Sequence, residues 1–173
     1  GGYIAYIGRL SYEKGYDLLV EVARKHPEIK FCFAGAQREK NNTEIPKNVE
    51  FKGYLQKKEL SKFIQESRFI VIPSRCYEGF PMAILEAACH GKPAIASNHG
   101  GFTEIIGQGE NAIGKLFEPG NIDDLDKQIA ELWNNQTLTE ELGEKAFRKL
   151  KKHYDSEVVY KQWETLFSKL KNS

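Results

Sequence analysis

Two glutamates, Glu78 and Glu86, bracket the start of a helix in the stretch PSRCYEGFPMAILEAACHGKP, residues 73–93. Pro81 stands just inside the expected helix start and Gly91 just past its end, the usual asymmetry of helix termini. No Ser, Thr, Asp or Asn precedes Pro81; Gly79-Phe80 stands there instead. The free N–H groups of the first turn then need water or a ligand, and they favour an anion. Eight helical positions rise about 12 Å, so the two carboxylates would lie at opposite ends of an elongated site. A carboxylate accepts hydrogen bonds on two oxygens, which suits a vicinal diol. Donor amides between two diol readers describe a sugar–diphosphate–ribose ligand. On spacing alone the plainer reading, a helix-surface Glu86 and a loop charge at Glu78, stands ahead.

Two cations extend the pattern. Arg9 follows the first strand, and Lys14 closes the loop before Gly15. Ligands of open α/β sheets bind at the carboxyl ends of the strands, so both side chains are placed for a diphosphate. Their charge would offset repulsion between the phosphates and Glu78. Taken alone they read as two surface cations on a loop. No Asp-x-Asp metal motif occurs, and no metal is expected.

The elements that must position these residues alternate. Strands are expected at residues 3–7, 30–34, 49–52 and 68–72, the last two flanking a helix at 57–67. A helix from about 15 to 25 carries Leu18, Leu19, Val22 and Ala23 on one face, and 37–47 reads as a polar loop containing Asn41-Asn42. After the central helix come a strand at 94–97, a short helix with Ile105-Ile106 behind Gly100-Gly101, and an edge strand at 113–117. Repeated strand–helix–strand units imply an α/β fold: a Rossmann-like parallel sheet of about six strands with helices on both faces. From Asn121 the chain reads as C-terminal helices. Their apolar stripes are Ile122, Leu125, Ile129 and Leu132, then Leu138, Leu142 and Ala146, then Val159, Trp163, Leu166 and Leu170.

The 173 residues, 40% of them hydrophobic, make one domain, able to bury about 70% of its unfolded surface. A net charge of +1, from 25 basic and 24 acidic side chains, argues against a broad nucleic-acid-binding surface. No apolar run is long enough to cross a bilayer. Cys32, Cys76 and Cys89 lack metal-ligand spacing, and Cys32 and Cys89 read as small core residues in a reducing compartment. The run from Lys145 to His153 is basic and reads as a solvated helix face ahead of a membrane-surface patch. His99 ends a strand; a catalytic base is conceivable there, an incidental loop histidine the simpler reading. The Trp163 stripe reads as core.

The string EGFPMAILEAACHGKPAIAS resembles the donor-binding segment of retaining glycosyltransferases with the GT-B fold, where Glu, seven residues and Glu precede a small-residue helix and a Gly-x-Pro turn. GRLSYEKGYDLLVEV is similar to that family's phosphate-binding strand and loop, and GGFTEII to a further segment, so the likeness covers most of residues 3–120. The chain is accordingly identified as the C-terminal, nucleotide-sugar half of a "glycosyl transferases group 1" enzyme. The resemblance implies that Arg9 and Lys14 clamp the diphosphate and assist the leaving group, that Glu86 holds the ribose and that Glu78 approaches the donor hexose. Glu78, Arg9 and Lys14 would be catalytic. Gly8, Gly79, Phe80, Pro81 and Met82 would contact the donor, largely through backbone. Tyr54 would lie where the family's base rests, although a strand-end Tyr is otherwise structural, and Gly100-Gly101 would let backbone approach the ligand.

The implied function is metal-independent, retaining transfer of a hexosyl or N-acetylhexosaminyl group from a nucleotide sugar, UDP ahead of GDP. The acceptor would be a glycan or lipid-linked saccharide held by an N-terminal half absent here, in the cytoplasm or at the inner face of the membrane; the family's last helix contacts that half, so part of the Trp163 stripe would be uncovered. The abrupt entry at Tyr3 without an initiator Met fits an excised domain, itself expected to be inactive. A GT-B epimerase and a non-catalytic nucleotide-sugar sensor remain alternatives. A dinucleotide-binding dehydrogenase is disfavoured, because GRLSYEKG lacks Gly-x-Gly-x-x-Gly.

Overall fold

The structure is a computed structural model that describes residues 2–36 and 44–171, with side chains to residue 168. The Asn41-Asn42 part of the expected loop and the Leu170 side chain lie outside the described residues. Six strands form one parallel sheet: β1 (Ile4–Ile7), β2 (Phe31–Ala34), β3 (Val49–Gly53), β4 (Phe69–Ile72), β5 (Ala94–Ser97) and β6 (Gly114–Phe117). Their order across the sheet is β3-β2-β1-β4-β5-β6. The seven α-helices of the described residues are α1 (Tyr16–Lys25), α2 (Lys57–Glu66), α3 (Met82–Cys89), α4 (Gly100–Ile106), α5 (Ile122–Asn134), α6 (Gln136–His153) and α7 (Ser156–Lys171). The Rossmann-like reading therefore holds, with element ends moved by a residue or so.

Strands buried on both faces must be apolar throughout, and β2, β4 and β5 are buried at every position. Alternation divides their side chains between two cores. Ile4, Tyr6, Phe31, Phe33, Phe69, Val71 and Ile95 meet Leu18, Leu19, Leu125 and Ile129 of α1 and α5. Ala5, Cys32, Ile70, Ile72, Ala94 and Ala96 meet Phe63, Ile84, Phe102 and Ala146 of α2, α3, α4 and α6. The small residues on the second face let α3 lie close to the sheet.

One expectation is corrected. Cys89 is exposed on α3, at the helix end and to one side of the buried face that Ile84, Leu85, Ala87 and Ala88 make; Cys32 is buried. The third C-terminal stripe is uncovered in part, as the resemblance implied: Trp163, Leu166 and Phe167 are exposed, and Trp163 stacks on Phe167, while Val159 is half-buried. No helix among the described residues is long and apolar enough to cross a membrane.

The sheet order reverses between β1 and β4, and that switch point opens the crevice in which such folds bind ligands. A short 3-10 turn, Tyr12–Lys14, joins β1 to α1 and ends at Gly15, whose φ is 70°. A Cβ on Gly15 would stand 1.8 Å from the Pro73 carbonyl oxygen. Gly15 thus lets the β1–α1 loop touch the end of β4. Gly15→Ala should lower unfolding free energy by more than about 2 kcal/mol, since a left-handed alanine alone costs about 1–2 kcal/mol. Gly53→Ala is the control, with φ of 69° and no atom within 4 Å of its Cβ. Urea midpoints that fall equally in the two variants would show that the contact with Pro73 carries no weight.

Candidate functional site

The candidate site lies along the carboxyl edge at the β1/β4 switch, where three loops are tied together. The loop after β1 is held from below by Tyr6, whose hydroxyl donates to the Arg9 carbonyl at 2.7 Å. Burial pushes the Tyr6 phenol far above its ordinary range, so it stays a neutral donor. From the side, the loop is held by the segment after β4. Arg75 makes two bonds of 2.8 Å to the Asp17 carboxylate, donates to the Tyr12 carbonyl at 2.6 Å and lies 3.9 Å over the Tyr12 ring. Its backbone N–H reaches the Glu13 carbonyl at 2.8 Å. A planar guanidinium can satisfy all of these at once, which a lysine could not.

The third loop starts α4. Gly101 N–H donates to the Glu78 carbonyl at 2.7 Å, and a Cβ on Gly101 would meet the Gly79 carbonyl oxygen at 2.4 Å. Gly100-Gly101 therefore admits the Glu78–Gly79 backbone, where the sequence suggested ligand. Beside it, His99 Nε2 donates to the Ser74 carbonyl at 3.0 Å, and the ring packs, tilted, against Tyr77 with centroids 4.8 Å apart. His99 Nδ1 is buried without a partner among the described residues. Through Nε2 His99 ties the start of α4 to the segment after β4.

Three recesses follow one another along this edge. The first, about 300 Å³, is lined by Tyr6, Gly8, Lys14, Glu78, Phe80, Pro81, Met82 and Ala83. In it the Lys14 ammonium and the Glu78 carboxylate form an ion pair, each side chain 22% exposed. Its wall includes the start of α3. Pro81 is the residue before the helix proper, one position earlier than the sequence suggested, and no side chain caps the first turn. Ile84 N–H turns back to the Pro81 carbonyl at 3.1 Å. The N–H groups of Met82 and Ala83 meet no protein acceptor among the described residues. A lysine, two open amides and the positive end of a helix dipole share one small cavity.

The second recess, about 240 Å³, is mostly apolar: Ile7, Ala34, Gly35, Ala36, Leu55 and Leu60, with Gly8, Arg9 and Tyr54 at its borders. Arg9 and Lys14 thus line different recesses. The Arg9 guanidinium is paired with Glu13 at 2.6 Å in a half-exposed bridge. The third recess, about 470 Å³, carries Glu86 with Tyr54, Leu55, Gln56 and Lys57. Gly8 joins the first recess to the second, and Tyr54 the second to the third, so Glu78 and Glu86 stand in separate compartments of one edge. Tyr54 itself is 71% exposed. Among the described residues no group of three or more His, Cys, Asp or Glu is arranged to hold a metal ion.

The Arg75–Asp17 clamp escaped the sequence reading, since nothing marks two charges 58 positions apart as partners. The apolar second recess was missed too; its walls are strand-end residues that read as core.

The sequence pattern of the family described as "Glycosyl transferases group 1" matches residues 2–149. An uncharacterised glycosyltransferase of Methanocaldococcus jannaschii is 35% identical over 147 residues, 80% of this chain and 40% of that protein. The sulfoquinovosyl transferase of Arabidopsis thaliana is 31% identical over 98% of this chain and 32% of its own length. Among solved structures, Staphylococcus aureus TarM in complex with fondaparinux, alpha-GlcNAc-glycerol and UDP superposes with a TM-score of 0.79. The identity there is 28%, over 96% of this chain and 35% of that one. The chain spans about a third to two fifths of the length of these relatives.

Arg75→Gln should lower stability by about 1 kcal/mol, the upper end for a partly exposed ion pair. It should also raise hydrogen exchange at the Gly101 amide, by about fivefold for that energy, because the Glu78 carbonyl loses its anchored loop. Unchanged protection of Gly101 would show that the loops are held independently.

Proposed function

Because the chain belongs to the glycosyl transferases group 1 family, we propose that its carboxyl edge is the donor site of a metal-independent, retaining glycosyltransferase that uses a nucleotide sugar. The observation that carries this reading is the Lys14–Glu78 ion pair beside the open N–H groups of Met82 and Ala83. The diphosphate displaces Glu78 from Lys14 and takes the lysine and both amides as donors. Charge-assisted contacts of this kind contribute about 1.5–3 kcal/mol each. Glu78, released, accepts from hydroxyls of the donor hexose. The ribose lies on Glu86, and the base enters the apolar recess beneath Tyr54, with UDP favoured over GDP. The presence of UDP in the TarM complex supports that preference.

In the reaction the bond between the anomeric carbon and the phosphate oxygen breaks, its electron pair leaves with the diphosphate, and the acceptor oxygen bonds to the carbon. The acceptor's proton passes to an oxygen of the departing diphosphate as its own oxygen bonds, and water takes it once the diphosphate is released. The departing diphosphate gains one negative charge, which Lys14, the α3 amides and Arg9 (swung from Glu13) stabilise more strongly in the transition state than in the ground state. Cationic neutralisation by side chains takes the part that a divalent ion could otherwise play. The acceptor, a glycan or lipid-linked saccharide, is held by a second α/β half facing this edge. Its proximity to the anomeric carbon supplies about 7–11 kcal/mol of the barrier.

The two carboxylates separate the roles. Glu86→Gln should weaken UDP and UDP-sugars alike by about 1.5–3 kcal/mol, as one charged acceptor is lost. Glu78→Gln should weaken UDP-sugars and spare UDP, or tighten it by freeing Lys14. Calorimetric titration of both variants, with EDTA present throughout, reads all four combinations. Equal losses for both variants on both ligands would leave a generic electrostatic site, and wild-type binding abolished by EDTA would contradict metal independence.

A further inference from the structure

The basic run Lys145 to His153 takes no part in the donor edge. On α6, Lys145, Arg148, Lys149 and Lys152 follow the i, i+3, i+4, i+7 spacing of one helix stripe. They do not face open solvent alone. With the connection between α4 and β6 they enclose a recess of about 350 Å³, to which Glu110 and Asn111 also contribute. It shares no lining residue with the recess of Lys14 and Glu78.

Few of the cations there are paired with carboxylates among the described residues. Lys149, half-buried, donates to the Ile105 carbonyl at 2.6 Å, and Lys145 to the Glu110 carbonyl at 3.2 Å. Arg148 reaches Glu144 at 3.7 Å in an exposed bridge. Lys152 has no partner among the described residues. The acidic groups nearby are Glu110 on the rim, Glu104 of α4, which acts on Lys149 only through space, and Glu144. Burial pulls the Lys149 ammonium below its ordinary range. Lys145, Arg148 and Lys152 have a carboxylate one turn away in Glu141, Glu144 and Asp155, of which only Glu144 makes an ion pair with one of them among the described residues; the four cations line one concavity in a chain whose net charge is only +1.

We infer that this recess between α6 and the α4–β6 connection binds a phosphate group, that of a free phosphorylated molecule or of an anionic lipid headgroup. A tetrahedral oxyanion with several acceptor oxygens can take the Lys145, Lys149 and Lys152 ammonium groups together. The Arg148 fork matches two of those oxygens in parallel. The Asn111 amide supplies a neutral donor. The bound anion compensates the desolvation of Lys149.

The test uses the labelled chain and follows backbone amides by NMR while inorganic phosphate is added, alongside sedimentation with phosphatidylglycerol or phosphatidylcholine vesicles. Amides of 107–113 and 145–153 should shift with phosphate, independently of any response at the donor edge. Lys145→Gln/Lys152→Gln, at two exposed positions, should weaken the effect by about tenfold or more, with an unchanged unfolding midpoint. Lys152→Arg should retain it. Phosphate shifts without vesicle binding assign a free ligand. Sedimentation with phosphatidylglycerol alone, lost in the double variant, assigns a headgroup. Absence of both responses, or responses equal in wild type and double variant, would overturn the inference.

Discussion

The Glu78 carbonyl accepts the Gly101 N–H at 2.7 Å, while three residues earlier the Arg75 guanidinium grips Asp17 and Tyr12. Between these two anchors the β4–α3 loop has little freedom, and everything proposed for the donor depends on that. The loop carries Glu78 to Lys14 and delivers Pro81 to the start of α3 without a capping side chain. Each anchor depends on a side chain being absent or particular: glycine at 101, where a methyl group would strike the Gly79 carbonyl, and arginine at 75. The loop is thus built as part of the scaffold, although it reads as a connection. Sites placed on loops hold their geometry only when such outer contacts are made.

The Lys14–Glu78 pair gives that rigidity a use. Both side chains are largely withdrawn from water, and a pair at this depth gains little net stability, because desolvation offsets much of the attraction. A small net gain suits a pair that must be exchanged for a ligand. It keeps Lys14 directed into the recess, and parting costs little once phosphate oxygens replace the carboxylate. Arg9 is held by Glu13 in a more exposed bridge, weaker still, so it too can turn toward charge that develops during departure of the diphosphate.

Much of this was legible in the sequence. Four-residue apolar strands alternating with striped helices left few topologies open, and handedness rules reduce them further. The uncapped start at Gly79-Phe80-Pro81 was visible because capping has a short, local signature. What stayed hidden is long-range. The Arg75–Asp17 clamp joins residues with no shared periodicity, and Gly100-Gly101 was assigned to a ligand when the nearer backbone belongs to Glu78 and Gly79. Cys89 was misplaced because helix position alone does not say which side of α3 faces the sheet. The Trp163 stripe has core composition, and only the resemblance signalled that part of it would be uncovered; composition alone does not decide that.

The most direct test is a crystal structure of this chain with UDP-glucose bound. The account predicts Lys14 Nζ within hydrogen-bond reach of a phosphate oxygen, parted from Glu78, with Met82 and Ala83 N–H on the diphosphate and the ribose on Glu86. Glu78 should then contact a glucose hydroxyl. A nucleotide bound with the Lys14–Glu78 pair intact, or seated away from the start of α3, would contradict it.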